Sequence, residues 1–212
     1  NTGVGRQALA ANTTGANNTA VGANALDANQ TGQDNVAVGA NALTAATGNY
    51  NTAVGFVAMN GTTTGTRNVG IGRGALNGNT TGSRNIGVGY GTLASNLATN
   101  NNVAVGYEAL TANTTGGPNV AIGAYALDAN TTGPSNVAIG YQALTANTTG
   151  DQNVGIGDSV LADCSTGHKN VGVGTHNQNN LTTGARNTSI GNYAMGNGII
   201  TGTNNVGVGD NT

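Results

Sequence analysis

The fold is decided by NVAIG at residues 136–140 and YQALTANTTG at residues 141–150, because the rest of the chain repeats this stretch. The spacing of the repeats is 17 residues, with one step of 16 from Asn35 to Asn51 and one of 18 from Asn187 to Asn205. A fixed period of this length predicts a stacked array in which each repeat is one structural unit. The opening residue of each of the 13 repeats is Asn1, Asn18, Asn35, Asn51, Asn68, Asn85, Asn102, Asn119, Asn136, Asn153, Asn170, Asn187 and Asn205.

The composition excludes several classes of protein. Charged residues make up 7% of the chain, aromatic residues 3%, and there is no Trp, so amphipathic helices are not expected. A net charge of −2 provides no basic surface for nucleic acid, and no apolar run is long enough to span a membrane or to suggest a signal peptide. The strict periodicity of Val, Ile and Leu argues against disorder. We expect residues 1–212 to be a single repeat domain, cut from a longer fibre.

The first five residues of each repeat have the pattern of a short β-strand. Counting the opening Asn as repeat position 1, position 4 is always Val or Ile, position 2 is Val, Ile or Thr, and position 3 is Gly, Ala or Ser. An alternation of period two predicts a strand with positions 2 and 4 on one face and position 3 on the other. We expect positions 2 and 4 to face the core.

The remainder of each repeat predicts a bend, an arm and a turn. Position 5 is Gly in every repeat, which marks a bend, a bulge or a close backbone approach. Ala-Leu at positions 8 and 9 predicts a second short strand or extended arm that turns Leu inward, and Asn-Thr-Thr-Gly at positions 12–15 is typical of a turn. The sequence therefore predicts an all-β fold, a parallel β-solenoid of about 12–13 coils stacked about 4.8 Å apart, with Asn ladders at positions 1 and 12.

One chain alone is expected to have a thin core. Three apolar side chains per coil contribute about 5–9 kcal/mol on burial, whereas ordering costs about 1–2 kcal/mol per residue. The bare face at position 3 suggests close contact with identical chains about one axis, with three-fold symmetry favoured although the sequence does not determine the number. The residues expected at this contact are Ala20, Ala37, Ala53, Gly70, Gly87, Ala104, Ala121, Ala138, Gly155 and Gly172.

The repeat resembles those of a known group of surface proteins. Asn-Val-Ala-Ile-Gly followed by a Gly turn is similar to the head repeats of trimeric autotransporter adhesins, and also to repeats of phage tail fibres and bacterial surface proteins that end in an endosialidase-type chaperone domain. The resemblance implies a left-handed parallel β-roll, three chains around one axis and a place on a cell or virion surface. Adhesin heads repeat at a shorter spacing, so the extra residues here are expected to lengthen the Asn-Thr-Thr-Gly turn. The adhesin family has no catalytic residues to carry over.

Some repeats depart from the pattern. Thr99 replaces the turn Gly in the repeat that begins at Asn85, and residues 196–202 contain a one-residue insertion. In the repeat from Asn170, Asn177-Gln178 replaces Ala-Leu and Leu181 follows, so we expect a weakened or rearranged arm in which Leu181 fills the gap. The single cysteine, Cys164, has no partner for an internal disulfide and is interpreted as a small residue in a turn.

Two sets of side chains are candidates for a glycan or partner surface. Aromatic residues recur at position 6, where they either stack against a sugar ring or pack between neighbouring arms or chains. Basic residues recur just before the opening Asn, where they either form a solubilising edge or contact an anion or glycan. The candidate residues are Phe56, Tyr90, Tyr107, Tyr141, Arg67 and Arg84.

No set of residues points to catalysis, a cofactor or a metal. The acidic residues are scattered over repeat positions, and the Gly-rich segments recur in every repeat without a following helix, so neither an acid–base pair nor a nucleotide loop is expected. The leading hypothesis is an extracellular or cell-surface fibre segment that mediates adhesion to a host glycan or matrix protein, with no nucleic-acid or membrane contact. The alternatives are a phage tail-fibre shaft or receptor-binding segment and, less favoured, an ice-binding solenoid.

Overall fold

The structure is a computed structural model that describes residues 1–178, 181–196 and 202–212. The described residues form thirteen short strands and no helix, and they divide into two compact units, Asn1–Asn102 and Val103–Thr212. The first unit holds β1 (Thr2–Val4), β2 (Thr19–Val21), β3 (Val36–Val38), β4 (Thr52–Val54), β5 (Val69–Ile71) and β6 (Ile86–Val88). The second holds β7 (Val103–Val105), β8 (Val120–Ile122), β9 (Val137–Ile139), β10 (Val154–Ile156), β11 (Val171–Val173), β12 (Thr188–Ile190) and β13 (Val206–Val208).

Within each unit the strands pair in parallel and in chain order. Val137 lies beside Val154, and Ile139 lies beside Ile156, so equivalent repeat positions stack directly on each other. The same register is kept across the short step, where Val36 pairs with Thr52, and across the long step, where Thr188 pairs with Val206. The predicted parallel β-solenoid with one coil per 17-residue repeat is therefore confirmed.

The predicted orientation of the strand is wrong. Ala138 at position 3 is fully buried, whereas Ile122 at position 4 is 39% exposed. A Cβ atom placed on Gly70 would lie 2.6 Å from Cγ of Met59, which occupies position 9 of the preceding coil. Position 3 therefore faces the interior, and positions 2 and 4 face outward. The physical reason is that the arm places a large side chain against the strand, which leaves room only for Gly, Ala or Ser beneath it.

The residues expected at a contact between chains are also reassigned. Since a single chain already buries them, position 3 provides no surface for another copy, and the predicted contact through this position is wrong. The buried residues concerned are Ala20, Ala37, Ala53, Gly70, Gly87, Ala104, Ala121, Ala138, Gly155 and Gly172.

The arm is a chain of turns, not a second strand. Gln142 at position 7 and Leu144 at position 9 both have left-handed backbone conformations, with φ of 52° and 55°. The N–H of Leu144 donates to the carbonyl of Val160 in the next coil at 3.0 Å, and the N–H of Asn147 donates to Leu144 within the coil at 3.1 Å. The predicted inward direction of the position 9 side chain is confirmed by full burial of Leu26, Leu43, Met59, Leu76, Leu93, Leu110, Leu127, Leu144 and Leu161.

Most coils require glycine at two positions, because the neighbouring backbone approaches closely there. Gly106 at position 5 has φ of 136°, and a Cβ there would lie 2.5 Å from the carbonyl oxygen of Gly123. Gly116 at position 15 has no positive φ, but a Cβ there would lie 2.6 Å from both Asn113 Oδ1 and Gly133 O. Of the bend, bulge or close approach predicted for position 5, the structure shows a close approach, and position 15 has the same requirement.

The opening asparagines form a buried ladder. The N–H of Asn136 donates to Oδ1 of Asn119 in the preceding coil at 2.8 Å. Its own Nδ2 donates to the carbonyl of Gly150 at 2.8 Å, at the far end of the same coil. An opening Asn inside the stack therefore joins two coils and also closes its own, which confirms the ladder predicted at position 1 and explains how the residue is buried without loss of hydrogen bonds.

A second ladder at position 12 is confirmed and has interruptions. Asn147 Nδ2 donates to Asn130 Oδ1 at 2.9 Å and to the carbonyl of Gly150 at 3.1 Å. Cys164 occupies this position in the following coil and supplies no amide donor, so the buried Oδ1 of Asn147 has no partner. Asn29 Oδ1 is likewise buried without a partner, one coil before Ala46. Orphaned oxygens thus arise where the repeat sequence breaks the ladder.

The coil that opens at Asn170 has a polar residue at position 9, where other coils have Leu or Met, and an apolar residue at position 12, where most have Asn. Gln178 takes position 9 with the usual left-handed φ of 50° and is fully buried, while Leu181 takes position 12 and is also fully buried. Leu181 therefore fills the interior, as predicted. Gln178 Nε2 lies 3.9 Å from Met195 Sδ, and its Oε1 has no partner. Most of the insertion expected at residues 196–202 lies at 197–201, outside the described residues.

Candidate binding surfaces

The outward strand face is apolar in both units. Repeat positions 2 and 4 carry only Val, Ile and Thr, with no charged residue. Ile122 and Ile156 are both 39% exposed, and neighbouring coils repeat the same arrangement in register. A contiguous apolar surface of this kind on a protein marks an interaction site. This surface is called the strand face below.

Aromatic side chains in the first unit are joined by an arginine that sequence analysis did not assign to them. Phe56 and Tyr90 lie two coils apart, and Arg73 lies at the same repeat position between them. The Arg73 guanidinium carbon is 5.8 Å from the ring centroid of Phe56 and 5.6 Å from that of Tyr90. Both distances are within the range of cation–π contact, so the three side chains support one another.

The second unit brings Tyr107 and Tyr141 together through a residue that the sequence analysis missed. Tyr125 lies between them, with ring centroids 5.3 Å from Tyr107 and 6.2 Å from Tyr141, and both pairs are edge to face. Tyr125 was missed because it stands at position 7, whereas the other aromatic candidates stand at position 6. In this coil Ala124 takes position 6 and the aromatic residue follows it, so a search that allowed a shift of one residue would have included Tyr125. These three residues are called the tyrosine row below.

The two arginine candidates do not form a common site. The Arg67 guanidinium lies over the ring of Tyr50, 5.3 Å from its centroid. Arg84 Nε instead donates to Asn101 Oδ1 at 2.8 Å, in the following coil. Although the two arginines occupy the same repeat position in adjacent coils, their side chains contact different neighbours. Both arginines stand just before an opening Asn, a different row from position 6.

The single cysteine is held as a neutral thiol. Burial raises the pKa of Cys164 to about 11, although hydrogen bonds with the Gly167 backbone and the Asn170 side chain act in the opposite direction. The Asn170 Nδ2 lies 3.9 Å from Sγ. Because the thiolate is the reactive form, a buried thiol with a raised pKa is poorly suited to nucleophilic chemistry.

Two further kinds of feature, a metal cluster and a membrane-spanning helix, are absent from the described residues. No group of three or more His, Cys, Asp or Glu side chains in ranges 1–178, 181–196 and 202–212 is placed to hold a metal ion. Within those same ranges there is no helix with the length and apolar character that crossing a bilayer requires. Comparison of the chain with protein-family models, with curated proteins and with solved structures gave no match.

Proposed function

We propose that this chain is an extracellular structural fibre segment in which identical copies pack through the strand face. The proposal includes the left-handed winding and the three-fold axis that the resemblance to adhesin head repeats implies. The observation that carries it is the outward row of Val and Ile at positions 2 and 4, which a single chain leaves in contact with water. Burying this row against sister chains removes apolar area from water and thereby favours association.

The size of the strand face supports a stable contact. A strand of three residues covers roughly 10 Å by 4.8 Å, so the six strands of the first unit present roughly 290 Å² of flat area and the seven strands of the second unit roughly 340 Å². Side chains that project from the sheet increase the accessible area above this flat estimate. Stable interfaces bury about 800 Å² per partner, so both units must contribute to a contact of that size.

The hydrogen bonds inside the chain support a rigid structural role. Asn136 and its equivalents link each coil to its neighbour, and their amide groups close the turn at position 15. Hydroxyl groups at position 13 act in the same way, since Thr131 Oγ1 donates to the carbonyl of Thr148 at 3.0 Å. Side chains of this kind are committed to holding coils together, which suits a rod that projects or spaces a binding surface.

The proposed location is a cell surface, where the fibre mediates adhesion to a host glycan or matrix protein. A phage tail-fibre shaft is the second candidate, since the same resemblance covers it and the same strand face would hold its copies together. The ice-binding alternative is less favoured, because hydroxyls of the position 13 Thr row, such as Thr114 and Thr131, donate to the adjacent coil.

The proposal is tested by introducing charge into the strand face. The double variant Ile122→Lys with Ile156→Lys places two ammonium groups in the proposed contact, and sedimentation equilibrium measures the mass of the assembly. We expect the variant to dissociate to single chains while the unmodified chain remains a trimer. The control is Thr149→Lys on an exposed turn, which is expected to leave the trimer intact. A double variant that keeps the mass of the unmodified assembly would contradict the proposed contact.

A further inference from the structure

The tyrosine row is a rigid surface feature of the second unit. The N–H of Tyr125 donates to the carbonyl of Tyr107 at 2.9 Å, and the N–H of Ser159 donates to the carbonyl of Tyr141 at 2.8 Å. Tyr107 and Tyr141 are 45% and 49% exposed, although the ring of each contacts Tyr125. Exposed aromatic rings that are fixed by backbone bonds and by one another need little further ordering when a ligand binds.

Polar side chains accompany the tyrosine row at the same two repeat positions. Glu108 follows Tyr107, Gln142 follows Tyr141, and Asp158 stands at position 6 of the next coil. The hydroxyl of Ser159 donates to Asp158 Oδ1 at 2.8 Å. Ring faces with a few carboxylate and amide groups beside them are the combination that binds a ligand with apolar C–H faces and hydroxyl edges. Sugar rings have this character.

The charged side chains near the tyrosine row determine whether an anionic or a neutral sugar is favoured. Positions 6 and 7 of the second unit carry Glu108, Asp158 and Asp210 but no Lys or Arg. Positions 6 and 7 of the first unit instead carry Arg6 and Arg73 and no acidic residue. An acidic row repels an anionic polysaccharide, whereas its carboxylates accept hydrogen bonds from the hydroxyls of a neutral one.

We propose that the tyrosine row binds an extended, neutral glycan whose sugar rings run along the stacking direction of the coils. Successive coils are about 4.8 Å apart, so side chains in one row meet a straight glycan at regular intervals. A glycan that coils strongly leaves the row after one or two sugars. This inference rests on the proposed extracellular adhesive function and identifies the class of ligand that the second unit recognises.

The test is calorimetric titration of the full chain with cellohexaose and chitohexaose as neutral, extended probes, and with oligogalacturonate as the anionic probe. We expect at least one neutral probe to bind and the anionic probe to bind at least tenfold more weakly. The variant Tyr107→Ala with Tyr141→Ala is expected to weaken binding of the neutral probe at least tenfold. Tyr125→Asn is a second variant, chosen because Asn tolerates the left-handed φ of 58° at this residue.

The control is Leu97→Ala, which removes an exposed apolar side chain from the first unit, outside every candidate surface, and is expected to leave affinity unchanged. Failure of both neutral probes to bind, binding that the tyrosine variants do not weaken, or tighter binding of the anionic probe would each overturn the inference. The mass of every variant is measured in parallel. An intact trimer without glycan binding contradicts this inference alone, whereas glycan binding by a single chain contradicts the proposed assembly alone.

Discussion

The backbone N–H of Asn153 donates to Oδ1 of Asn136, 17 residues earlier, at 2.9 Å. The Nδ2 of Asn136 at the same time donates to the carbonyl of Gly150 at 2.8 Å. One buried side chain therefore satisfies a donor from the next coil and an acceptor in its own turn. This double use explains why the opening residue of all 13 repeats is Asn, since no other uncharged side chain of this length offers both an acceptor and a donor.

Replacement of Asn136 by Ala is expected to destabilise the chain strongly. The substitution leaves the N–H of Asn153 buried without its acceptor, at a cost of about 1–3 kcal/mol, and removes the shorter of the two amide bonds to the carbonyl of Gly150, which keeps Asn147 Nδ2 at 3.1 Å. Urea denaturation followed by circular dichroism measures the change. Thr149→Ala on the adjacent exposed turn serves as the control, and we expect it to change stability by less than about 0.5 kcal/mol. Equal effects of the two substitutions would show that the ladder does not stabilise the coils.

Gly116→Ala tests the close approach of neighbouring coils at position 15. The added methyl group would lie 2.6 Å from both Asn113 Oδ1 and Gly133 O, so the turn must shift, at an expected cost of at least about 2 kcal/mol. Gly74→Asn is the matched control, because nothing lies within 4 Å of a Cβ there and other coils carry Asn at this position. A thermal melt that ranks the two variants in the opposite order would contradict the packing described.

Val57→Asn is expected to stabilise the chain. Val57 has a φ of 52°, a left-handed conformation that a β-branched residue adopts at a cost of about 1–2 kcal/mol, whereas Asn tolerates it. Asn41 stands at the same position one coil earlier, and Asn24 Nδ2 donates to its Oδ1 at 2.9 Å. We expect the midpoint of urea denaturation to rise for Val57→Asn. The opposite substitution at the equivalent position of the preceding coil, Asn41→Val, is expected to lower it. A lower midpoint for Val57→Asn would argue against the left-handed arm.

The buried thiol makes stability depend on pH in the alkaline range. The folded-state pKa of Cys164 is raised from the ordinary value of 9.0 to about 11 by burial, so the stabilising contribution is fully present below pH 9. As pH rises from 9 toward 11 the unfolded chain gains a thiolate that the folded chain does not, and this contribution is lost. The difference in unfolding free energy between the unmodified chain and Cys164→Ala is therefore expected to shrink over that interval.

Comparison with the alanine variant removes the contribution of other groups that titrate at high pH. A difference that stays constant from pH 8 to pH 11 would contradict the burial of the thiol. The same burial predicts that a thiol reagent labels the native chain slowly and the unfolded chain rapidly at neutral pH.

Repetition made the strand ladder and the positions of the required glycines predictable from the sequence. Which face of the strand points inward was not predictable in the same way. Alternation shows that two faces differ, but which face is inward depends on what packs against it, and that is Leu144 or its equivalent, held inward by a left-handed arm. The residues Gln142, Ala143 and Leu144 do not by themselves predict alternating left-handed conformations. Only the Gly and Asn residues at position 7 of other coils indicate such conformations.

The candidate surface was predictable in part. Position 6 was recognised as an aromatic row, and Tyr107 and Tyr141 do lie in one cluster. Tyr125 was not included because the arm places positions 6 and 7 of adjacent coils side by side, a relation that counting by the repeat period does not show. Arg67 and Arg84 were grouped by period alone, yet their side chains reach Tyr50 and Asn101 in different coils.

The central claim is that the apolar strand face, with Ile122 and Ile156 at its surface, is covered by sister chains. The most direct test is the native mass of the unmodified chain, measured by light scattering over a dilution series. We predict a mass of three chains that persists on dilution. A single-chain mass at all concentrations, with the strand face still exposed, would contradict the account.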